Sequence, residues 1–151
     1  MSFRSEKKHL NTIHLSVAVI CTLMTIGCGS SQVPVYPVSG TVLFENGSPV
    51  RTGTVELESR DHRVTATGTI RDDGSFVLGT YTSDDGACPG EHGVIVVQLI
   101  INDGTISHSK DHGHPVDPMY ASYTTSPLTA TVKEQDDNIL KLTVTARDKT
   151  Q

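Results

Sequence analysis

From Val38 onward, apolar and polar residues alternate with a period of two, the pattern of strands that bury one face. Val38, Gly40, Val42 and Phe44 fall on one side, with Ser39 and Thr41 on the other. Val55 and Leu57 alternate with Thr54, Glu56 and Glu58. Val64, Ala66, Gly68 and Ile70 stand against Arg63, Thr65, Thr67, Thr69 and Arg71. Phe76 and Leu78 make a short fourth strand. Val94–Ile101 is apolar on both sides except for Gln98, which predicts a central strand whose outer face is covered by the long segment that follows. Leu128, Ala130 and Val132 form a sixth strand, and Leu140, Leu142, Val144 and Ala146 a seventh.

Asn46-Gly47, Asp73-Gly74 and the segment from Gln135 to Asn138 supply turns. Helical periodicity is not sustained anywhere after residue 28, although Pro118 to Ser122 suits a single helical turn. Seven short strands with one apolar face each bury those faces only by stacking two sheets, so the chain is expected to be an all-β sandwich. Phe76 and Leu78 are expected between the sheets. The composition agrees: Gly, Thr, Val and Ser are frequent, and aromatics are only 5% with no Trp.

The first 28 residues carry a different pattern. Arg4, Lys7 and Lys8 make a positive start, diluted by Glu6, and the uncharged run from Leu15 to Ile26 follows. That run has the length of a signal-peptide core and is short for a membrane-spanning helix, which needs roughly 20 apolar residues. Thr25-Ile26-Gly27-Cys28 then resembles the lipobox of bacterial lipoproteins, with Thr25 where Leu is usual. The resemblance implies that Cys28 is the lipidation site and the first residue of the mature chain. A plain secretory signal cleaved near the same place, or a retained anchor helix, are the other readings. The expected layout is a signal peptide over 1–27, the lipidated Cys and a tether over 28–37, and a β-sandwich domain over 38–147. Gly and Ser make the start of the tether flexible, and Pro34 and Pro37 stiffen its end.

Export changes the charge and the cysteines. The chain has 12 basic and 17 acidic residues; residues 1–27 hold three and one of these, which leaves nine and 16, or a net −7. Nucleic acid is therefore not an expected partner, since it rewards clustered Lys and Arg. The membrane is expected to hold the protein through the lipid, on the outer-membrane, periplasmic or cell-surface face, with a protein or glycan as possible partner. With Cys21 discarded and Cys28 acylated, Cys88 is the one thiol left, so no disulfide forms within the mature chain. Cys88 reads as a small, half-buried loop residue; a nucleophile would need a base and an orienting group, and His92 is the only hint of either.

Two groups of residues have metal-binding chemistry. His108, Asp111, His112 and His114 lie within seven residues, with Asp117 nearby, and imidazole and carboxylate suit zinc, copper or nickel. The alternative is a solvated loop. The pairs Asp72-Asp73, Asp84-Asp85 and Asp136-Asp137 all fall in turns; calcium needs six or more oxygens, and Asp is in any case a favoured turn residue. The sequence holds no Gly-x-Ser-x-Gly elbow, His-Glu-x-x-His pair or phosphate-cradling loop. The expectation is a non-enzyme without a cofactor, with metal binding by the His108–His114 loop as the alternative.

Several blocks resemble one family. Val38-Ser-Gly-Thr-Val-Leu-Phe44 with Gly47-Ser-Pro-Val50, and Ala66-Thr-Gly-Thr-Ile-Arg-Asp-Asp-Gly-Ser-Phe76, are similar to the first two blocks of the carboxypeptidase regulatory-like domain. Gly86-Ala-Cys-Pro-Gly-Glu-His-Gly-Val94 and Tyr123-Thr-Thr-Ser-Pro-Leu-Thr129 resemble later steps of such domains in uncharacterised bacterial lipoproteins. The resemblance covers about residues 36–146. It implies a seven-stranded antiparallel Greek-key sandwich of the transthyretin type and a non-catalytic companion or scaffold, not a reaction.

Overall fold

The computed structural model describes residues 32–98 and 114–147. Cys28, His108, Asp111 and His112, together with the whole proposed signal segment, lie outside the described residues. The described residues form seven strands: β1 (Val38–Phe44), β2 (Thr54–Ser59), β3 (Thr65–Thr69), β4 (Ser75–Val77), β5 (Gly90–Val97), β6 (Thr129–Val132) and β7 (Asn138–Val144). They form two packed sheets, one of three strands in the order β4-β1-β7 and one of four in the order β3-β2-β5-β6. The described residues contain no α-helix, only a single 3-10 turn over Pro118–Ala121, started by the Asp117 carboxylate accepting from the Met119 amide.

The alternation read from the sequence places the core. Val38, Val42 and Phe44 of β1, Val55 and Leu57 of β2, Ala66 of β3 and Phe76 of β4 are all buried, as are Leu142 and Val144 of β7. Phe76 is 1% exposed and Leu78 fully buried. Gly40 makes room for the Phe76 ring: the two are cross-strand partners, and a Cβ at position 40 would lie 2.6 Å from Phe76 Cζ and against the Leu140 carbonyl. A glycine inside a strand marks such a close approach. Gly74 adopts φ +82° in the turn before β4, where its amide donates to the Arg71 carbonyl.

One pair departs from the antiparallel expectation: β1 and β7 run parallel, from Val38 opposite Asn138 to Phe44 opposite Val144. The pairing is consistent with strand direction along the chain. β3 runs antiparallel to β2 and β5, β5 to β6, and β1 to β4, and the Thr67–Gly79 bridge sets β3 against the chain leaving β4. Direction therefore alternates at every step from β1 to β6, and β7, reversing again after the turn from β6, continues the alternation. In an alternating chain two odd-numbered strands run the same way, which is how β1 and β7 lie side by side.

β5 also differs from the expectation of Val94–Ile101. It begins at Gly90, pairing with Val132 on one side, while His92 pairs with both Ser59 and Ala130. Two flanking strands impose the extended conformation on Gly-Glu-His-Gly, whose own preference for it is weak. Ile95, on the outer face, is nonetheless 6% exposed. Tyr123 lies against that face, with Cδ1 3.3 Å from where a Cβ on Gly93 would stand.

Candidate functional site

Two features of the sandwich have the geometry of a site. The first lies where the edges of the two sheets meet. Thr67 of β3 and Gly79, just past β4, exchange two backbone hydrogen bonds of 2.9 Å. Beside that bridge is an open concavity of about 640 Å³, lined by Thr54, Thr67, Thr69, Arg71, Ser83 and Asp84, with Val77 and Gly68. Its polar lining is four hydroxyls, one guanidinium and one carboxylate, so it carries no excess charge.

The loop on its far side is held from within. The Asp85 carboxylate accepts from the Thr80 amide at 2.6 Å, the Thr82 amide at 2.9 Å and the Tyr81 amide at 3.1 Å, while the Thr80 hydroxyl donates to the Gly86 carbonyl at 2.7 Å. Burial opposes the charged form of Asp85, but the amides of Thr80, Thr82 and Tyr81 outweigh it and lower its pKa. Asp73 has its pKa lowered by its hydrogen bonds to Ser75, whose amide it receives at 2.9 Å. These two carboxylates are thus occupied in turns. Among the described residues no group of three or more His, Cys, Asp or Glu is placed to hold a metal ion. His114, the one member of the proposed histidine site that is described, is exposed and stands edge-on to Phe44, ring centroids 6.2 Å apart.

The second feature is inside the core. Cys88 was expected to be half-buried in a loop; it is 1% exposed. The segment carrying it is pinned by paired Tyr36–Ala87 backbone hydrogen bonds of 2.9 and 3.0 Å and by the Gly86 amide on the Leu78 carbonyl, which draws the thiol inward. His92, also 1% exposed, comes from the inner face of β5 with Nε2 3.6 Å from Cys88 Sγ. Its Nδ1 lies 3.1 Å from the Gly90 carbonyl, which can only accept. Nδ1 therefore carries the ring proton, Nε2 is the acceptor, and the Cys88 thiol donates to it. Burial lowers the His92 pKa and keeps the ring neutral; the Gly90 hydrogen bond and the charge of Asp61 pull the other way, and His62 adds to the lowering. Ser59, the cross-strand partner of His92, is buried beside it and accepts the His62 amide on Oγ at 3.2 Å.

The arrangement supplies a thiol, a base and a group that orients the base, the roles that nucleophilic catalysis combines. It lacks access, since both side chains are buried, and burial in apolar surroundings leaves a cysteine inert. Sequence reasoning paired the two residues only as a hint. A stronger signal was available: His92 stands in register with Val94 and Val96, so running that alternation backward places it on the inner face.

The β6–β7 turn is organised by a third buried polar residue. Asn138 Oδ1 accepts the Lys133 amide at 2.9 Å, and Nδ2 lies 3.1 to 3.2 Å from the carbonyls of Lys133, Gln135 and Pro37. The link to Pro37 ties the end of the chain to its entry.

Compared with protein-family models, curated proteins and solved structures, the chain has no match in any of the three.

Proposed function

We propose that the chain is an exported lipoprotein, anchored by acyl chains on Cys28, that holds out a non-catalytic β-sandwich as a binding or structural module of the transthyretin-like, carboxypeptidase regulatory-like kind. The observation that carries the reading is the order of parts along the chain. A positive start, an uncharged run and the Cys28 box are followed after a few residues by Tyr36, the first of the described residues in a backbone bridge of the sandwich. Two or three acyl chains anchor firmly where one binds only marginally. A net −7 on the mature chain also gives an anionic lipid surface little to attract, so the lipid has to do the holding.

The module's exposed feature with the character of a recognition surface is the hydroxyl-lined concavity between β3 and β4. Its neutral, donor-and-acceptor lining suits an uncharged polar partner such as a glycan or a peptide backbone. The seven strands in two sheets agree with the Greek-key sandwich that the resemblance implies, apart from the parallel β1–β7 pair. Detergent-phase partitioning tests the anchor. The wild-type protein is expected in the detergent phase and Cys28→Ser in the aqueous one; a Cys28→Ser protein that stays with detergent would replace the lipid with an uncleaved helix.

A further inference from the structure

The tether expected over residues 28–37 is tied to the sandwich for its second half. The Tyr81 hydroxyl donates to the Val33 carbonyl at 3.2 Å, and Tyr36 exchanges backbone hydrogen bonds of 2.9 and 3.0 Å with Ala87. Gly29, Ser30, Ser31 and Gln32 are all that separates Cys28 from the first of these contacts. The five steps from residue 28 to residue 33 span at most about 18 Å, and a Gly- and Ser-rich chain of that length averages about 12 Å. The acyl chains of an anchored cysteine lie in hydrocarbon, so its backbone starts at the inner edge of a headgroup band roughly 5–7 Å deep. Val33 is then carried on average about 5–7 Å above the membrane surface.

The same end of the sandwich presents side chains that suit that level. Tyr81 is 39% exposed, an aromatic ring with a polar tip of the kind that settles among headgroups. Ile139, 64% exposed and the most exposed large apolar side chain among the described residues, pairs with Ser39 at the start of β1. The Asn46-Gly47 turn lies past the other end of β1, which at about 3.3 Å per residue puts it roughly 20 Å further away.

We propose that the short tether seats this end of the sandwich, the Tyr81–Asp84 loop together with Ile139, on the polar interface of the bilayer that holds Cys28. The proposal rests on the lipid anchor of the proposed function. Asp84, Asp136 and Asp137 are exposed at this end and the mature chain is acidic, so the tether and apolar contact do the seating, and neutral lipid suits it better than anionic lipid. Ser83 and Asp84 also line the concavity between β3 and β4, so a partner meets that surface close to the membrane.

The chain has no Trp, so a single introduced Trp reports its own position. Ser83→Trp and Asn46→Trp, both at exposed positions, are made in the full chain, purified from membranes and reconstituted into phosphatidylcholine vesicles that carry a nitroxide on the headgroup. Ser83→Trp is expected to lose about half its fluorescence or more, and Asn46→Trp less than about a tenth. Thr82→Trp takes its place if Ser83→Trp does not fold. Inserting about ten Gly and Ser residues between Gln32 and Val33 raises the average reach to about 20 Å and is expected to halve the quenching of Ser83→Trp at least. An unquenched Trp in the loop, equal quenching at positions 83 and 46, or quenching that ignores the insertion would each overturn the proposal. Flotation of the same vesicles separates it from the anchor. Protein that floats without quenching leaves the lipid on Cys28 standing, whereas protein that does not float removes the anchor and the seating together.

Discussion

Replacing Phe76 by Ala tests the core at the point where sequence pattern, strand pairing and packing converge. The ring is 1% exposed and lies over Gly40, whose Cβ direction also faces the Leu140 carbonyl of β7. Gly40 has no side chain that could move into the space, and β1 is held on both sides by β4 and β7, so the cavity cannot close by a local shift. Phe→Ala in such a site costs about 3–5 kcal/mol, against a total of roughly 5–15 kcal/mol for a domain. For a domain of little more than 100 residues, each kcal/mol moves Tm by about 4 °C, so Phe76→Ala is expected to lower Tm by about 12–20 °C. His114→Ala is the control: the residue is exposed, with its ring T-shaped to Phe44, and the expected change is under about 0.5 kcal/mol. Thermal unfolding followed by circular dichroism reads both. A Phe76→Ala protein that melts within a few degrees of wild type, or no lower than His114→Ala, would refute the packing argument.

Acid is expected to destabilise the domain through His92. Its lowered pKa means that the folded state refuses a proton that the unfolded state takes up, so stability falls as pH drops below the ordinary histidine value of about 6.5. Tm measured from pH 7.5 to 5.5 is expected to fall more steeply in wild type than in His92→Gln, and equal slopes would argue against it. Asn138→Ala removes an acceptor for the Lys133 amide and a donor to three carbonyls in a buried turn; a loss of about 1–3 kcal/mol is expected by urea unfolding, and a change under 0.5 kcal/mol would mean that water replaces the side chain.

Strand positions were legible because each strand buries one face, and burial of one face writes itself as period two. Val38 to Phe44 shows this residue by residue. Which strands pair is a property of distant segments. Nothing local in Val38–Phe44 or Asn138–Val144 says that they are neighbours, so their parallel register was not readable. The start of β5 was hidden for another reason. Gly90 to Gly93 have the composition of a loop, and only pairing to Ser59 on one side and Ala130 on the other makes them a strand. That hidden extension is what carries His92 inside to meet Cys88, so the burial of the pair was missed together with the strand, although His92 was a hint. The acidic pairs went the other way: Asp73 and Asp85 spend their oxygens on turn amides, as Asp commonly does, and the calcium chemistry considered for them has no support in their geometry.

The lipid anchor on Cys28 is the claim on which the proposed function stands, and the mass of the N-terminal peptide tests it most directly. Protein purified from membranes, digested and analysed by mass spectrometry is predicted to begin at Cys28, with acyl chains on its sulfur and no residue of 1–27 attached. An N-terminal peptide that starts upstream of Cys28, or one that contains Cys28 as a free thiol, would contradict it.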